Sequence, residues 1–234
     1  MNIIIHRGTH QIGGSAIEIS TASTRIILDF GNELSLDEKY IPINLDIDGV
    51  TKGISDCDGI VISHYHMDHL GQLTAALPEI PLYMGVLSKE VAMISAEYQD
   101  KNLYLRLLGA NTFRGGEAFT IGDIRIRPLV IDHSAVDSYM FVIEAEGKRV
   151  LYTGDFRMHG LRHHVLDQLV NTYIGEVDVL ITEGTSLSRD ADKYISEAAV
   201  LEDIYSYIQD GKYVFVICSS TNIDRIMGIW QNMP

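Results

Sequence analysis

Cysteine is nearly absent from this sequence, and its scarcity bears on the cellular compartment. Among 234 residues there are two cysteines, Cys57 and Cys218. Two cysteines so far apart in the chain cannot form the disulfide framework that small secreted domains use, so we expect both to be reduced thiols. The sequence therefore predicts a cytoplasmic protein.

Long hydrophobic runs are also missing, and we expect no secretory signal in the opening residues. The opening residues Met1–Arg7 meet polar and charged side chains too soon to form a secretory signal. No apolar stretch approaches the roughly 20 residues that a membrane-spanning helix needs. A hydrophobic content of 46% and a mean hydropathy of +0.08 are typical of a soluble, globular chain. We expect one or two domains and no membrane partner.

Positive charge is scarce as well. Lysine and arginine total 18 against 32 aspartate and glutamate, which gives a formal net charge of −14. No basic cluster is present that would form a broad nucleic-acid-binding face, and the net charge repels a polyanion at long range. Bound cations would reverse this balance locally, because the nearest charges dominate the field inside a cleft.

Histidine, in contrast, is concentrated in one short run. His64-Tyr65-His66-Met67-Asp68-His69 directly follows an apolar strand predicted at Gly59–Ser63. Side chains alternate along a strand, so His64 and His66 share one side, and the turn into the next helix brings Asp68 and His69 to a neighbouring point. Imidazole and carboxylate groups are ligands of Zn²⁺, and a site with fewer than four protein ligands leaves room for water. The run predicts a metal site; the alternative is a solvated turn that is rich in histidine.

The pattern H-x-H-x-D-H resembles the signature of the metallo-β-lactamase superfamily, and two later stretches fit it. Ile131-Asp132-His133-Ser134 follows one predicted strand, and Thr153-Gly154-Asp155-Phe156 follows another. The resemblance implies two zinc ions, the first held by His64, His66 and His133, the second by Asp68 and His69, with Asp155 touching both. Mn²⁺ or iron would also be accepted, because ligand type alone does not identify a metal.

The same resemblance implies supporting residues around the ligands. Asp29 ends the predicted strand Arg25–Asp29, and Asp29 or Asp132 would hold a ligand histidine through its second ring nitrogen, as carboxylates beside metal sites commonly do. Gly13-Gly14 also matches the family, although paired glycines occur just as readily in an ordinary hairpin turn.

The region after Asp155 resembles one branch of that superfamily, the β-CASP nucleases, which include ribonuclease J and the nuclease of messenger-RNA 3′ processing. A buried strand, Val177–Thr182, ends in Glu183 and a small hydroxyl-rich turn. A predicted helix at Lys193–Gln209 and a predicted strand at Tyr213–Ile217 follow. The resemblance implies a metallo-β-lactamase domain over residues 1–185 and the beginning of a truncated β-CASP domain over residues 186–234.

The sequence departs from the family in one respect. The family's final histidine, which completes the second zinc site, has no counterpart here, because His159, His163 and His164 lie too close behind Asp155. We expect the chain to be a fragment of a longer protein; a shortened homologue with one incomplete metal site is the alternative.

A second anion site is predicted at the turn that precedes the last helix. Free backbone amides and the positive end of the helix dipole favour a phosphate at such a helix start. The turn consists of Ser219, Ser220, Thr221 and Asn222. A plain N-capped helix explains the same residues.

Strands that alternate with helices predict an α/β fold, specifically the αββα sandwich that the family implies. Helices are predicted at Leu70–Leu77, Leu87–Tyr98 and Leu161–Val170, and the weakly periodic segment Asn32–Asp58 is predicted to form a loop over the site. The remaining strands are predicted at Asn2–Ile5, Ala16–Ser20, Leu82–Met84, Ile124–Val130, Tyr139–Glu144 and Arg149–Thr153.

The resemblance implies a zinc-dependent hydrolase, and above all a nuclease that cleaves phosphodiester bonds of RNA or another single-stranded nucleic acid. Two zinc ions about 3.5–4 Å apart would share a hydroxide, which Asp155 orients and Asp68 contacts. Glu183 would either tune a histidine near the leaving group or cap its strand. A glyoxalase II-like thioester hydrolase and a non-catalytic RNA-binding homologue are the alternatives. The choice of RNA or DNA, the direction of digestion and the oligomeric state, a homodimer included, stay open.

Overall fold

Two β-sheets lie face to face in this protein, with helices on their outer sides. The structure is a computed structural model that describes residues 1–35, 43–187, 194–209 and 213–231. Helices, strands and two stacked sheets in this order confirm the predicted α/β sandwich.

The first sheet contains six strands, and they lie in the order in which they occur in the chain. The first three pair antiparallel, and the third to the sixth pair parallel. The strands are β1 (Asn2–Arg7), β2 (Ala16–Ser20), β3 (Arg25–Leu28), β4 (Gly59–Val61), β5 (Leu82–Gly85) and β6 (Asn111–Phe113).

The second sheet contains five strands: β7 (Phe119–Ile121), β8 (Ile124–Ile131), β9 (Ser138–Ala145), β10 (Lys148–Tyr152) and β11 (Val179–Ile181). Their spatial order is β11-β10-β9-β8-β7. Strands β7 to β10 pair antiparallel, whereas β10 and β11 run parallel.

The helices are α1 (Met67–Leu70), α2 (Val86–Gln99), α3 (Lys101–Leu108), α4 (Val165–Leu169), α5 (Glu197–Gln209) and α6 (Ile223–Gln231), and α4 continues into a π-helical turn at Val170–Ile174. The side chain of Asp100 starts α3 by accepting hydrogen bonds from the amides of Asn102 and Leu103. Among the described helices, none has the length and apolar character that crossing a membrane requires.

The alternation of apolar side chains along the strands produces three separate cores. In β3, Ile26 and Leu28 face the second sheet, while Ile27 faces the helices. In β9, Phe141 packs between the sheets and Met140 packs beneath α4. The central strands β2, β3, β4 and β9 are therefore buried on both faces, as their nearly continuous apolar sequences require, whereas the edge strands β1 and β11 are partly exposed.

The carboxyl ends of several strands meet at one edge of the sandwich. Strands β3 and β4 are parallel, and β8, β10 and β11 share a direction in the second sheet. The amide of Tyr139, at the start of β9, donates to the carbonyl of Ser63, just beyond β4, at 3.1 Å. The loops after these five strands therefore form one surface, and that surface holds the histidine run.

The strand predicted at Tyr213–Ile217 is absent, and this prediction was wrong. Phe215 and Ile217 are 91% and 99% exposed, and no described strand lies beside them. An extended segment becomes a strand only when a neighbour satisfies its backbone groups, and β-propensity cannot supply that neighbour. The helix predicted at Lys193–Gln209 begins at Glu197 in the structure; the start of the prediction lies outside the described residues.

The helix predicted at Leu70–Leu77 was also wrong, because tertiary contacts replace its backbone bonds. The α-helix ends at Leu70, and tighter turns follow. The amide of Gln72 donates to the carbonyl of Phe30 at 2.9 Å, and that of Leu77 donates to Val50 at 2.8 Å. Sequence periodicity does not anticipate such distant acceptors.

Further elements differ from the sequence predictions. The helix predicted at Leu161–Val170 begins only at Val165. Short elements α3, β6 and β7 were not predicted at all: β6 and β7 are three residues long, too short to show periodicity, whereas the buried Leu103 and Leu107, four residues apart in α3, are a helical signal that was missed. The part of the predicted loop from residue 43 to residue 58 packs on the core through Ile47 and Val50, which are 6% and 0% exposed, while residues 36–42 lie outside the described residues.

The two thiols should differ sharply in reactivity. Burial raises the pKa of the Cys57 thiol to about 11, whereas Cys218 is partly exposed. Thiolate is the reactive form, so we expect a disulfide reagent at mildly alkaline pH to modify Cys218 quickly and Cys57 only after unfolding. Cys218→Ser should remove the fast phase; two equally fast thiols in the native protein would contradict the buried position of Cys57.

Candidate metal centre

Three histidines converge at the strand edge. His64 and His66 leave the end of β4, and His133 leaves the end of β8 in the opposite sheet. Nδ1 of His66 lies 3.2 Å from Nε2 of His64 and 3.2 Å from Nε2 of His133. The three ligand atoms lie within 4.8 Å of one another, a spacing that allows them to hold one metal ion. The structure thus brings together the set that was predicted for the first ion.

The protonation states of these histidines suit a metal. Burial lowers the pKa of His64 and His66, and it lowers that of His133 to about 3. Ser63 Oγ donates to Asp29 at 2.7 Å, so His64 Nδ1, 3.0 Å from the same hydroxyl, must be the donor in that contact. The lone pair of His64 Nε2 then faces the cluster. Three converging nitrogens of neutral imidazoles cannot all satisfy one another, whereas a cation satisfies all three.

A second group lies beside the first and shares His64. It consists of His64, His69 and Asp155, whose ligand atoms also lie within 4.8 Å of one another. His69 Nε2 is 3.3 Å from Asp155 Oδ1 and 3.6 Å from Asp68 Oδ2. Asp68 therefore lies next to this group but outside its 4.8 Å spacing. The sequence had predicted Asp68, His69 and Asp155 for the second ion, so the group differs from the prediction in containing His64 instead of Asp68.

Charge in the second group follows from its partners. Burial favours neutral His69, but Asp29 and Asp155 outweigh burial and raise its pKa well above the usual value. Burial likewise acts to raise the pKa of Asp155, but the hydrogen bond and charge of His69 lower it below the usual range. Burial raises the pKa of Asp68. The group therefore combines an ionised carboxylate with an imidazole that Asp29 holds in place.

Asp29 connects the end of β4, helix α1 and the end of β10 at the site. Its buried carboxylate accepts hydrogen bonds from the Ser63 amide at 2.6 Å, the Ser63 hydroxyl at 2.7 Å, His69 Nδ1 at 2.8 Å and the Tyr152 hydroxyl at 2.5 Å. Its φ of 55° lies in the left-handed region, which aspartate tolerates better than most residues. Asp29 thus has the supporting position expected from the sequence, with the other ring nitrogen of His69 directed at the second group.

Asp132 has a different partner from the one expected. Its Oδ1 accepts from Nε of Arg157 at 3.1 Å, and its Oδ2 accepts from the amide of Arg162 at 3.1 Å. The described contacts therefore assign the histidine-orienting role to Asp29 and tie Asp132 to the loop after Asp155. Sequence reasoning missed Arg157, since an arginine two residues beyond a ligand carries no recognisable signal.

Glu183 caps the turn after β11. Its Oε1 accepts from the amide of Phe156 at 3.0 Å, and its Oε2 accepts from the amide of Thr185 at 3.3 Å. The first contact fixes the loop that follows Asp155, and the second closes the turn after β11, which agrees with the capping alternative. Its role in catalysis stays a prediction.

The predicted phosphate turn forms a capped helix start. Asn222 accepts from the amide of Arg225 at 3.3 Å, and Ser219 Oγ lies 2.9 Å from Thr221 Oγ1. The Tyr65 hydroxyl donates to the carbonyl of Thr221 at 2.6 Å and accepts from the Val136 amide at 2.9 Å. The predicted phosphate turn therefore contacts the metal loop, by which we mean the histidine run from His64 to His69. Phosphate binding by Ser219, Ser220, Thr221 and Asn222 stays a prediction.

Two glycines permit the close approach of chain segments beneath the site. A Cβ on Gly31 would lie 1.6 Å from the backbone oxygen of Asp68, and one on Gly13 would lie 2.7 Å from the Asp68 Cβ. Gly13 has a φ of 75° and pairs with Glu33 in an isolated bridge. The glycines thus set the position of Asp68, which goes beyond the needs of an ordinary hairpin.

A cleft of about 840 Å³ opens beside the second group. One wall is the loop between β1 and β2, which contributes His10, and the other consists of residues 181–185. Asp68, His69 and Asp155 lie at its base. The candidate metal centre is therefore accessible to a substrate from this side.

Comparisons with known proteins agree with this geometry. The family model described as a beta-lactamase superfamily domain matches residues 39–206. A crystal structure of a protein of unknown function from Enterococcus faecalis V583 has the same fold, with a TM-score of 0.84, 20% identity, and coverage of 99% of this chain and 63% of that chain.

Curated relatives are nucleases by name. The RNase J-like protein of Methanocaldococcus jannaschii is 27% identical over 90% of this chain and 49% of its own length. Endoribonuclease YSH1 of Gibberella zeae is 27% identical over 89% of this chain and 27% of its own length, and ribonuclease J of Helicobacter pylori is 24% identical over 94% and 33%. The resemblance noted in the sequence is thus confirmed, and this chain spans half or less of each of these relatives.

Gly31→Ala should disrupt the site through steric overlap with Asp68. We expect the free energy of unfolding in urea to fall by at least about 3 kcal/mol, because backbone must move. Gly109→Ala is the matched control, since a Cβ there meets nothing within 4 Å, and it should change stability by less than about 0.5 kcal/mol. Equal effects of the two substitutions would contradict the close approach.

Asp29→Asn should weaken metal binding, because an amide nitrogen cannot accept the hydrogen bonds that the carboxylate accepts. With Zn²⁺ as the probe ion, the dissociation constant measured by chelator competition should rise about 10- to 100-fold. Asp167→Asn, on the exposed surface of α4, should leave it unchanged. An unchanged constant for Asp29→Asn would rule out this supporting role.

Proposed function

Because this chain belongs to the β-lactamase superfamily, we propose that it contains the metal centre of a zinc-dependent nuclease that hydrolyses phosphodiester bonds of RNA. One observation carries the proposal: five side chains from both sheets supply two adjacent groups of ligand atoms that share His64. Adjacent groups suit a pair of divalent ions better than a single structural ion, which is normally enclosed by four ligands.

The donor set favours zinc among divalent metals. Neutral imidazoles predominate, and borderline ions such as Zn²⁺ prefer them to the all-oxygen sites that suit Mg²⁺ or Ca²⁺. His64, His66 and His133 would hold one ion, and His69 and Asp155 would hold the second together with Asp68. Mn²⁺ and iron stay compatible with these ligands.

The residues of the chain would divide the work of hydrolysis. Bound zinc ions lower the pKa of water towards neutrality and polarise a phosphoryl oxygen. Asp155 lies between the two ligand groups, with Oδ1 3.3 Å from His69 Nε2 and Oδ2 4.0 Å from His133 Nε2, so it would accept a hydrogen bond from the attacking water and orient it. Asp29 would hold His69 at a fixed angle, and Glu183 would hold the loop that carries Asp155.

The choice of RNA rests on the relatives and on the cleft. The relatives carry ribonuclease names, and the cleft of about 840 Å³ is lined by Asp68, His69 and Asp155. The net charge of −14 opposes binding at long range, so affinity would come from the ions and nearby hydrogen-bond donors. The turn from Ser219 to Asn222, which touches the metal loop through Tyr65, would bind a substrate phosphate.

The proposed domain arrangement follows from the same interpretation. Residues 1–185 would form the metallo-β-lactamase domain, and residues 186–234 would begin a β-CASP domain. The described part of the second segment includes α5 and α6, which contact each other, and it contacts the loops of the site through Glu197 and Thr221.

Removing a ligand should abolish RNA cleavage. In zinc-loaded protein, Asp155→Asn and His133→Ala should each lower the rate of hydrolysis of labelled single-stranded RNA at least about 100-fold, because each removes a metal ligand. His164→Ala, an exposed histidine outside the cluster, is the matched control and should retain the wild-type rate.

The assay should include single-stranded DNA and a glutathione thioester as alternative substrates. Cleavage of RNA alone or of both nucleic acids supports a nuclease. Hydrolysis of the thioester by protein with a full zinc content, without cleavage of either nucleic acid, would replace this proposal with the thioester hydrolase.

A further inference from the structure

Four charged side chains link the last described helices to the two loops that carry His133 and Asp155. Arg157 donates from Nε to Asp132 Oδ1 at 3.1 Å and from Nη1 to Glu197 Oε1 at 2.9 Å. Arg225 donates from Nε to Glu197 Oε2 at 2.9 Å. Asp132, Arg157, Glu197 and Arg225 together are called the arginine–glutamate clamp.

Three side chains of the clamp are buried or nearly so, and the fourth, that of Arg225, is 31% exposed. The side chains of Asp132 and Glu197 are 1% and 4% exposed, and that of Arg157 is 10% exposed. A buried ion that loses its partner is strongly destabilised, whereas a surface pair contributes little. Burial by itself would raise the pKa of Glu197, but the hydrogen bonds and charges of Arg225 and Arg157 outweigh burial. The pKa of Glu197 therefore lies below the usual value, and the carboxylate is ionised. The buried charges of Asp132, Arg157 and Glu197 therefore depend on their partners in the clamp.

The clamp adjoins the two ligands that come last in the chain. Asp132 directly precedes His133, and Arg157 lies two residues beyond Asp155. The amide of Arg157 also donates to the Asp132 carbonyl at 2.8 Å, which closes the two loops against each other. If Asp132 or Glu197 moves, Arg157 moves with it, and the backbone next to His133 and Asp155 shifts as a result.

The other two residues of the clamp, Glu197 and Arg225, lie in the second segment of the chain, residues 186–234. Glu197 is the first residue of α5, and its amide donates to the carbonyl of His159 at 2.9 Å. Arg225 lies in the first turn of α6. A separate ion pair, Arg162 to Asp224 at 2.6 Å, fixes the start of α6 near the same loop. Helix α5 thus docks on the loops that carry His133 and Asp155 through a buried ion pair, and α6 docks there through partly buried ones.

We propose that Glu197 is a positioning residue, through which the docking of α5 and α6 determines the placement of His133 and Asp155 at the metal centre. Glu197 acts through Arg157 and touches neither ligand. Its role in metal binding rests on the proposed function, whereas its role in ordering the two loops does not. The residue couples the second segment of the chain to the site, so a disturbance of α5 changes the metal centre.

The experiment compares Glu197→Gln, Glu197→Asp and the control Glu202→Gln, which removes an exposed charge from the same helix. Hydrogen exchange is measured at the amides of residues 132–137 and 155–160, and Zn²⁺ affinity is measured by chelator competition. Glu197→Gln should accelerate exchange in both loops about tenfold and raise the dissociation constant about tenfold, as losses around metal ligands do. Glu197→Asp, which retains the charge, should recover part of both effects, and Glu202→Gln should show neither.

The two readouts separate the possible failures. Faster exchange confined to residues 194–231, with unchanged loops and unchanged zinc affinity, would mean that Glu197 only anchors its helix, and it would overturn the proposal. Wild-type protein that binds no zinc would overturn the proposed function, while loop exchange would still decide the role of Glu197. If Glu197→Gln fails to fold, Arg225→Met retains the Arg157–Glu197 pair and should produce a smaller acceleration in the same two loops; no acceleration would count against the clamp.

Discussion

The buried carboxylate of Asp29 is the interaction on which the rest of the structure depends. An ionised group without solvent is tolerated only when hydrogen-bond donors surround it, and here the donors come from Ser63, His69 and Tyr152. These donors belong to the ends of strands in two different sheets and to α1. Satisfying one charge therefore fixes the relative position of both sheets at the edge where the ligands lie.

The arrangement of the candidate metal ligands is a consequence of this constraint on the backbone. His64 and His69 follow Ser63 by one and six residues, so the bonds that Ser63 makes to Asp29 also set where both imidazoles point. Close contacts at Gly13 and Gly31 then place Asp68 beside them. The site is preorganised by hydrogen bonds and sterics, and the ligands need little rearrangement to face a common cation.

Electrostatics within the site and across the whole protein act in opposite directions. The protein carries a large negative charge, yet the groups that converge at the strand edge are mainly neutral imidazoles. Bound cations would make this edge locally positive and would attract an anionic phosphate over a short range, because the surrounding charge is screened by salt beyond about 10 Å. The buried clamp adds paired charges that cancel locally, so its contribution is geometric rather than attractive.

Much of the fold and the central ligands could be predicted from the sequence because their signals are local. The run from His64 to His69, the strand ends at His133 and Asp155, and most strands are marked by periodicity or by adjacent residues, and the structure places them together. The resemblance to a known family supplied the pairing of these distant segments. Without it, the sequence would have identified one histidine run and two unconnected strand ends.

What only the tertiary structure decided involves partners far apart in the chain. The exposed segment at Tyr213–Ile217 has the composition of a strand but no described neighbour, and the α1 helix ends at Leu70 because the amide of Gln72 binds Phe30 instead. Asp132 contacts Arg157 instead of the expected histidine, and Glu197 is buried between Arg157 and Arg225. Both contacts depend on packing between distant parts of the chain. Local sequence determines which side chains and elements are available, whereas hydrogen bonding and burial of charge depend on which distant groups fold next to them.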